Sequence, residues 1–116
     1  MLDLIEKKYK KALIYFQKGI DADNTYWPSY INKARTEYSL SNYNEGIATL
    51  KTMLGICDSK YWISYAKLYL ALGYFNNGNN CEEAIKYINQ SKSLKMYPEL
   101  LNQIISLEEK INKACI

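Results

Sequence analysis

The sequence contains no histidine, which removes the side chain that most often serves as a general base in enzymes and as a ligand for zinc. Arginine is almost missing as well. Arg35 is the single example, so the bidentate contacts that arginine makes with phosphate and with guanine are scarce. Because these groups are lacking, we predict a non-catalytic protein without a metal or a cofactor, and a nucleic-acid partner is not favoured.

Cysteine is also rare, and its spacing is uninformative. Cys57, Cys81 and Cys115 are odd in number, lie far apart and form no CxxC pair. This pattern predicts neither a disulfide framework nor a zinc site, and unpaired thiols fit a reducing compartment best. The sequence has no apolar run of the length of a signal-peptide core or a membrane span. We therefore expect a cytoplasmic location and no membrane partner.

The charged residues offer no catalytic pair. Glu82–Glu83 and Glu108–Glu109 are adjacent, so on a helix their side chains diverge by about 100° and cannot share a substrate. The net charge is +3, and one basic run extends from Lys7 to Lys11. We interpret this run as a solvated helix face, with a nucleic-acid or membrane patch as the alternative.

What the sequence does contain is a repeat. The segment Tyr9–Ile20 (YKKALIYFQKGI) recurs as Tyr43–Leu54 (YNEGIATLKTML) and as Cys81–Lys92 (CEEAIKYINQSK), at offsets of 34 and 38 residues. The copies align Ala12, Gly46 and Ala84 in one column, Phe16, Leu50 and Ile88 in the next, and Gly19, Met53 and Ser91 in the last. Such a period is typical of stacked helical arrays, in which each unit buries its apolar face against its neighbours.

Apolar residues at three- and four-residue steps predict six helices. The expected helices are Leu2–Asp21, Trp27–Leu40, Tyr43–Ile56, Lys60–Asn76, Cys81–Leu94 and a last one that begins near Pro98. We predict a single domain (1–116) made of a half repeat (1–22), two repeats (26–58 and 60–95) and a C-terminal capping helix (98–116). Gly46, inside the third helix, predicts a close approach of another backbone.

These features resemble the tetratricopeptide repeat, whose unit is two antiparallel helices with small residues where they cross. The matching positions of the second hairpin are Tyr30, Ala34, Tyr43, Gly46, Leu50 and Met53, and those of the third are Leu70, Ala71, Tyr74, Gly78, Ala84, Ile88 and Ser91. Asp58 stands where the family usually has proline, and the first unit shows only one helix. The resemblance implies an all-α fold of hairpins stacked as a right-handed superhelix, whose concave side holds a peptide or helix of another protein.

The first helix of each hairpin would line that concave side, so the predicted partner site lies on helices 2 and 4. Its residues are Ile31, Arg35, Tyr38, Tyr65, Leu68, Tyr69 and Leu72. Helical spacing places each set on one stripe, and Arg35 could pair with a carboxylate of the partner. Two alternatives stay open. Helix 6 could fill the groove, or the site could lie on the open face of helix 1 around Tyr15, Tyr26 and Trp27.

The leading functional hypothesis is a small adaptor that binds one protein partner, as a chaperone, an antitoxin or an immunity-type inhibitor. The second is a self-associating unit, in which two copies cover each other's exposed helix 1 and form a homodimer. The third and weaker one is RNA binding through lysines and tyrosines.

Overall fold

The computed structural model describes residues 3–78, 80–93 and 97–115, and every regular element within these ranges is helical. The helices are α1 (Leu4–Ala22), α2 (Trp27–Ser39), α3 (Tyr43–Leu54), α4 (Lys60–Asn76), α5 (Cys81–Ser93) and α6 (Pro98–Ala114). The predicted all-α class with six helices is confirmed. The chain divides into two compact units, Met1–Ile56 with α1 to α3 and Cys57–Ile116 with α4 to α6.

Local sequence signals set the helix ends. The Asp3 carboxylate accepts a hydrogen bond of 2.8 Å from the backbone N–H of Glu6, which caps α1. Pro28 and Pro98 lie in the first turns of α2 and α6, where a missing N–H is not needed. The third helix ends at Leu54 rather than at the predicted Ile56. The predicted ends at Leu2 and Leu94 lie outside the described residues.

In the first unit, α1 packs against α2 and α2 packs against α3. Its buried apolar residues are Tyr30, Ile31, Ala34, Tyr38, Ile47, Leu50 and Met53. Gly46 lies under the Tyr38 ring, and a Cβ atom there would be 2.6 Å from Tyr38 Cδ1 and 3.2 Å from the carbonyl oxygen of Ala34. Gly46 is therefore a crowded position, as predicted, but the nearest group is the Tyr38 side chain, and the predicted backbone neighbour is the carbonyl of Ala34.

A polar network joins α2 to α3 in the same unit. The Thr49 hydroxyl donates to Glu37 Oε1 over 2.6 Å, and Lys33 Nζ donates to Thr49 Oγ1 over 3.1 Å while lying 3.5 Å from Glu37 Oε2. Glu37 and Thr49 are both buried. Because the buried carboxylate has a hydroxyl and an ammonium group as partners, its cost of burial is offset within the hairpin.

In the second unit, α4 packs against α5, and α6 packs against both. The core residues are Leu68, Ala71, Ala84, Ile88, Leu100, Ile104, Leu107 and Ile111. Ser64 and Ser91 meet at the contact of α4 and α5, where Ser91 Oγ donates to the Ser64 carbonyl over 3.0 Å. Both serines are 1% exposed, so small side chains with satisfied hydroxyls permit a close approach of these two helices.

A disulfide between Cys81 and Cys115 corrects the prediction of unpaired cysteines. Cys81 is the first residue of α5, and Cys115 directly follows α6. A chain that goes out along one helix and returns along the next brings such residues together, although they are 34 positions apart. Cysteine spacing in the sequence, such as a CxxC motif, does not reveal a pair that lies at the ends of two neighbouring helices. Because two of the three cysteines are paired, free thiols no longer favour a reducing compartment.

Candidate functional site

The α2 part of the predicted partner site lies in the first unit, and most of it is buried there. Ile31 is 2% exposed and Tyr38 is 9% exposed, whereas Arg35 is exposed. The Tyr38 ring covers Gly46 and packs against Tyr43, with ring centroids 5.7 Å apart. Ile31 and Tyr38 therefore contribute to the stability of the first unit, and a partner could reach them only if this packing changed.

The α4 part of the predicted site lies in the second unit and is more accessible. Leu68 is buried in the same core cluster as Leu107 of α6, while Tyr65, Tyr69 and Leu72 are half-buried. The second unit accordingly contains side chains of the predicted stripe that remain open to solvent.

Part of this stripe lines a cleft of about 320 Å³ between α4 and α6. The lining residues are Leu68, Tyr69, Leu72, Asn102, Gln103, Ser106, Leu107 and Lys110. The α4 side and Leu107 are apolar or aromatic, and the remaining α6 residues are polar, with one cation. An apolar floor with a few polar groups at the rim is the usual composition of a binding cleft.

A row of aromatic rings follows α4 towards the same cleft. The rings of Trp62 and Tyr65 stack with centroids 5.6 Å apart, and those of Tyr65 and Tyr69 stack at 5.3 Å with an interplanar angle of 9°. Tyr61 joins the row by edge contacts with Trp62 and Tyr65. Burial raises the pKa of the Tyr61 hydroxyl, and the Glu99 carboxylate raises it further. The row presents rigid, half-buried aromatic surface, which is enriched in protein interfaces.

The sequence reasoning missed the α6 wall of the cleft. Asn102, Ser106 and Lys110 follow one another at four-residue steps, so they share one face of α6. This polar stripe beside the apolar core face was visible in the sequence. The sequence favours helix 6 as a cap, with filling of the groove as the alternative, and neither interpretation makes its polar stripe one wall of a binding cleft.

The groups considered for chemistry have structural explanations. Glu83 lies 3.9 Å from Lys86, and Glu108 forms an ion pair of 2.8 Å with Lys92 of α5. Cys57 is a buried free thiol, and burial together with the Asp58 carboxylate raises its pKa, which disfavours a thiolate. In the described ranges, no group of three or more cysteine, aspartate or glutamate side chains is placed to hold a metal ion.

The described helices give an all-α protein built from packed helix pairs, and no described helix combines the length and the apolar character needed to cross a bilayer. No protein-family model matches the chain, and no curated protein shows significant similarity to it.

Proposed function

We propose that this chain is a non-catalytic protein-binding module and that the cleft between α4 and α6 is its binding site. The occupant we propose is a helical or extended segment of a partner protein with an apolar side chain and a nearby carboxylate. The apolar side chain would lie on Leu68, Leu72 and Leu107, and the carboxylate would face Lys110. The role could be that of a chaperone, an antitoxin or an immunity-type inhibitor.

The observation that carries this proposal is the composition of the cleft. Three of the predicted partner residues line it, and the stacked rings of Tyr65 and Tyr69 lead into it. Rigid aromatic rings lose little conformational entropy when they are covered, so they are effective anchors for a partner.

A tetratricopeptide-like character of the α2–α3 hairpin and of the α4–α5 hairpin, each within its own unit, is part of the same proposal. It is supported by the helix bounds, by the close contact at Gly46 and by the fully buried Ala84 in the same repeat column. The proposed cytoplasmic location has less support, because a disulfide such as Cys81–Cys115 is more typical of oxidising compartments.

The experiment begins with the partner captured from the source cell and measures its affinity for purified variants. Gln103→Trp fills the cleft from an exposed position without removing a core side chain. We expect it to weaken binding at least about ten-fold. The matched control is Ile105→Trp, since Ile105 is exposed on the same helix but does not line the cleft.

Equal binding by Gln103→Trp and the parent would exclude the cleft as the binding site. Arg35→Glu is then the informative variant, because Arg35 is the exposed member of the α2 stripe. Tyr38→Ala is unsuitable for this purpose, as it would remove the ring that packs over Gly46.

A further inference from the structure

The outer face of α1 carries lysines and large apolar side chains without an intervening acid. Helical geometry places seven large side chains within an arc of about 120°. They are Leu4, Lys7, Lys8, Lys11, Ile14, Tyr15 and Lys18, and all of them are exposed. Leu4 is 75% exposed, Ile14 is 60% exposed and Tyr15 is 72% exposed. We call this set the outer face of α1.

The opposite side of α1 is already used for packing. Tyr9, Leu13, Phe16 and Ile20 lie on that side and are half-buried, and α1 packs against α2. The outer face is therefore additional to the side that stabilises the unit. None of its lysines forms a salt bridge with a carboxylate in the part of the chain that the structure describes.

A slot of about 510 Å³ opens beside this face, where the second half of α1 meets the start of α2. Gly19 makes the helices approach closely, since a Cβ atom there would lie 2.9 Å from Ser29 Oγ. Phe16 and Pro28 line the slot, and it also includes the exposed ring of Tyr26. The slot can take one large apolar side chain.

Lys18 and Asp23 are the two charged residues that line the slot. The Asp23 carboxylate accepts hydrogen bonds from the side chain and the backbone N–H of Thr25, and these bonds lower its pKa. Asp21, at the end of α1, accepts a hydrogen bond from Gln17. Both acids lie beyond the lysine-rich part of α1, so the negative charge of a ligand is favoured along the four lysines of the outer face rather than on the Asp23 side of the slot.

We propose that the outer face of α1 binds an acidic amphipathic segment of a partner protein. One apolar side chain of that segment enters the slot beside Tyr15 and Tyr26, and its carboxylates pair with Lys7, Lys11 and Lys18. This surface belongs to the first unit, so the proposal does not depend on the α4–α6 cleft.

Charge selects this occupant over a second copy of the chain. In a symmetric contact between two copies, the same face meets itself, and four lysines would oppose four lysines. An acidic partner removes this repulsion and supplies carboxylates in its place.

The arrangement of the face also disfavours a membrane and RNA. In a helix that lies on a bilayer, the apolar side enters the lipid and the lysines stand on the other side, but here Ile14 and Lys11 share one face and the apolar side packs on α2. Single-stranded RNA is bound by basic residues together with several aromatic rings on which successive bases stack. This face has one ring, Tyr15, between aliphatic Leu4 and Ile14, and it has no arginine.

The test uses a displayed library of random 16-residue peptides selected on the intact protein. Selected peptides should be rich in aspartate and glutamate and carry at least one large apolar residue. The variant Lys7→Glu/Lys11→Glu/Lys18→Glu should bind them at least about ten-fold more weakly. The matched control is Lys10→Glu, which changes an exposed lysine of the same helix outside the outer face and should change affinity less than about two-fold.

A second variant, Tyr15→Ala, tests the apolar part of the site without changing charge, and it should also weaken binding. Retained helicity shows that each variant is folded. The proposal is overturned if the library yields no acidic peptides, or if these peptides bind the triple variant as tightly as the parent. It is also overturned if vesicles of phosphatidylserine and phosphatidylcholine or a 20-nucleotide poly(U) RNA bind this face more tightly than the selected peptides.

Discussion

The helices α1 and α6 are both amphipathic, but they differ in how much of their surface is buried. The last helix, α6, buries Leu100, Ile104, Leu107 and Ile111 completely or nearly so, and the disulfide at Cys115 ties its end to α5. The 19-residue α1 has no fully buried side chain. The helix α6 therefore completes the core of its unit, whereas α1 packs with one side and leaves its other side exposed to solvent.

Removal of α6 should have the largest effect on the stability of the second unit. Ending the chain after Tyr97 should expose the core faces of α4 and α5, and we expect loss of cooperative unfolding or aggregation. Circular dichroism and light scattering measure these effects. Ending the chain after Ala114 is the matched control, because it removes the disulfide but retains the helix. A soluble and fully helical monomer without α6 would contradict the role assigned to it.

The disulfide should give the next largest effect. Cys81→Ser/Cys115→Ser reopens a loop with a sequence separation of 34 residues. The variant should lower the free energy of unfolding of the second unit by roughly 3–4 kcal/mol, as estimated from loop-closure entropy. Each unit contains one tryptophan, so fluorescence of a Trp27→Phe variant reports the second unit through Trp62.

A reducing agent provides the control for this measurement. It should lower the stability of the parent to that of the double serine variant and leave the double serine variant unchanged. Equal stability of the oxidised and reduced parent would mean that α6 is held by its noncovalent contacts alone.

A smaller effect is expected in the first unit at Gly46. Gly46→Leu places a side chain against the Tyr38 ring and the Ala34 carbonyl, and overpacking should cost about 1–3 kcal/mol of unfolding free energy. Denaturant unfolding measures it through the fluorescence of Trp27 in a Trp62→Phe variant. Ala48→Leu on the same helix is the control, since Ala48 is exposed. If Gly46→Leu and Ala48→Leu both had the stability of the parent, the contact between α2 and α3 at Gly46 would not be tight.

The smallest effect is expected on the outer face of α1. Ile14→Ser should change the free energy of unfolding by less than about 0.5 kcal/mol, because this side chain is 60% exposed. Thermal unfolding tests the change, and analytical ultracentrifugation of the parent reports its mass. A loss above about 1 kcal/mol together with a dimeric mass would show that a second copy covers the face. The predicted alternative of self-association would then replace the acidic partner.

Much of the fold could be predicted from the sequence because helices depend on local features. Periodic apolar residues predicted the number of helices, and Pro28 and Pro98 marked the first turns of α2 and α6. The crowded position of Gly46 was also predictable, since glycine inside a helix needs a packing reason.

The candidate site was less predictable, because helical spacing shows which residues share a stripe but not what covers it. Ile31 and Leu68 were placed on binding stripes, yet each is buried inside its own unit. Leu72 and Tyr69 remain at a cleft, and the opposite wall with Gln103 comes from α6, for which the sequence predicts a cap or an occupant of the groove but not a wall.

The sequence by itself determined the all-α class, the six helices and the residues that each helix can present on one side. Only the tertiary structure decided that Cys81 meets Cys115, that Tyr38 closes over Gly46 and that α6 forms a wall of the cleft. The physical reason is the range of the interactions. Helix formation depends on residues within one or two turns, whereas these contacts join residues of different helices and depend on how each pair packs.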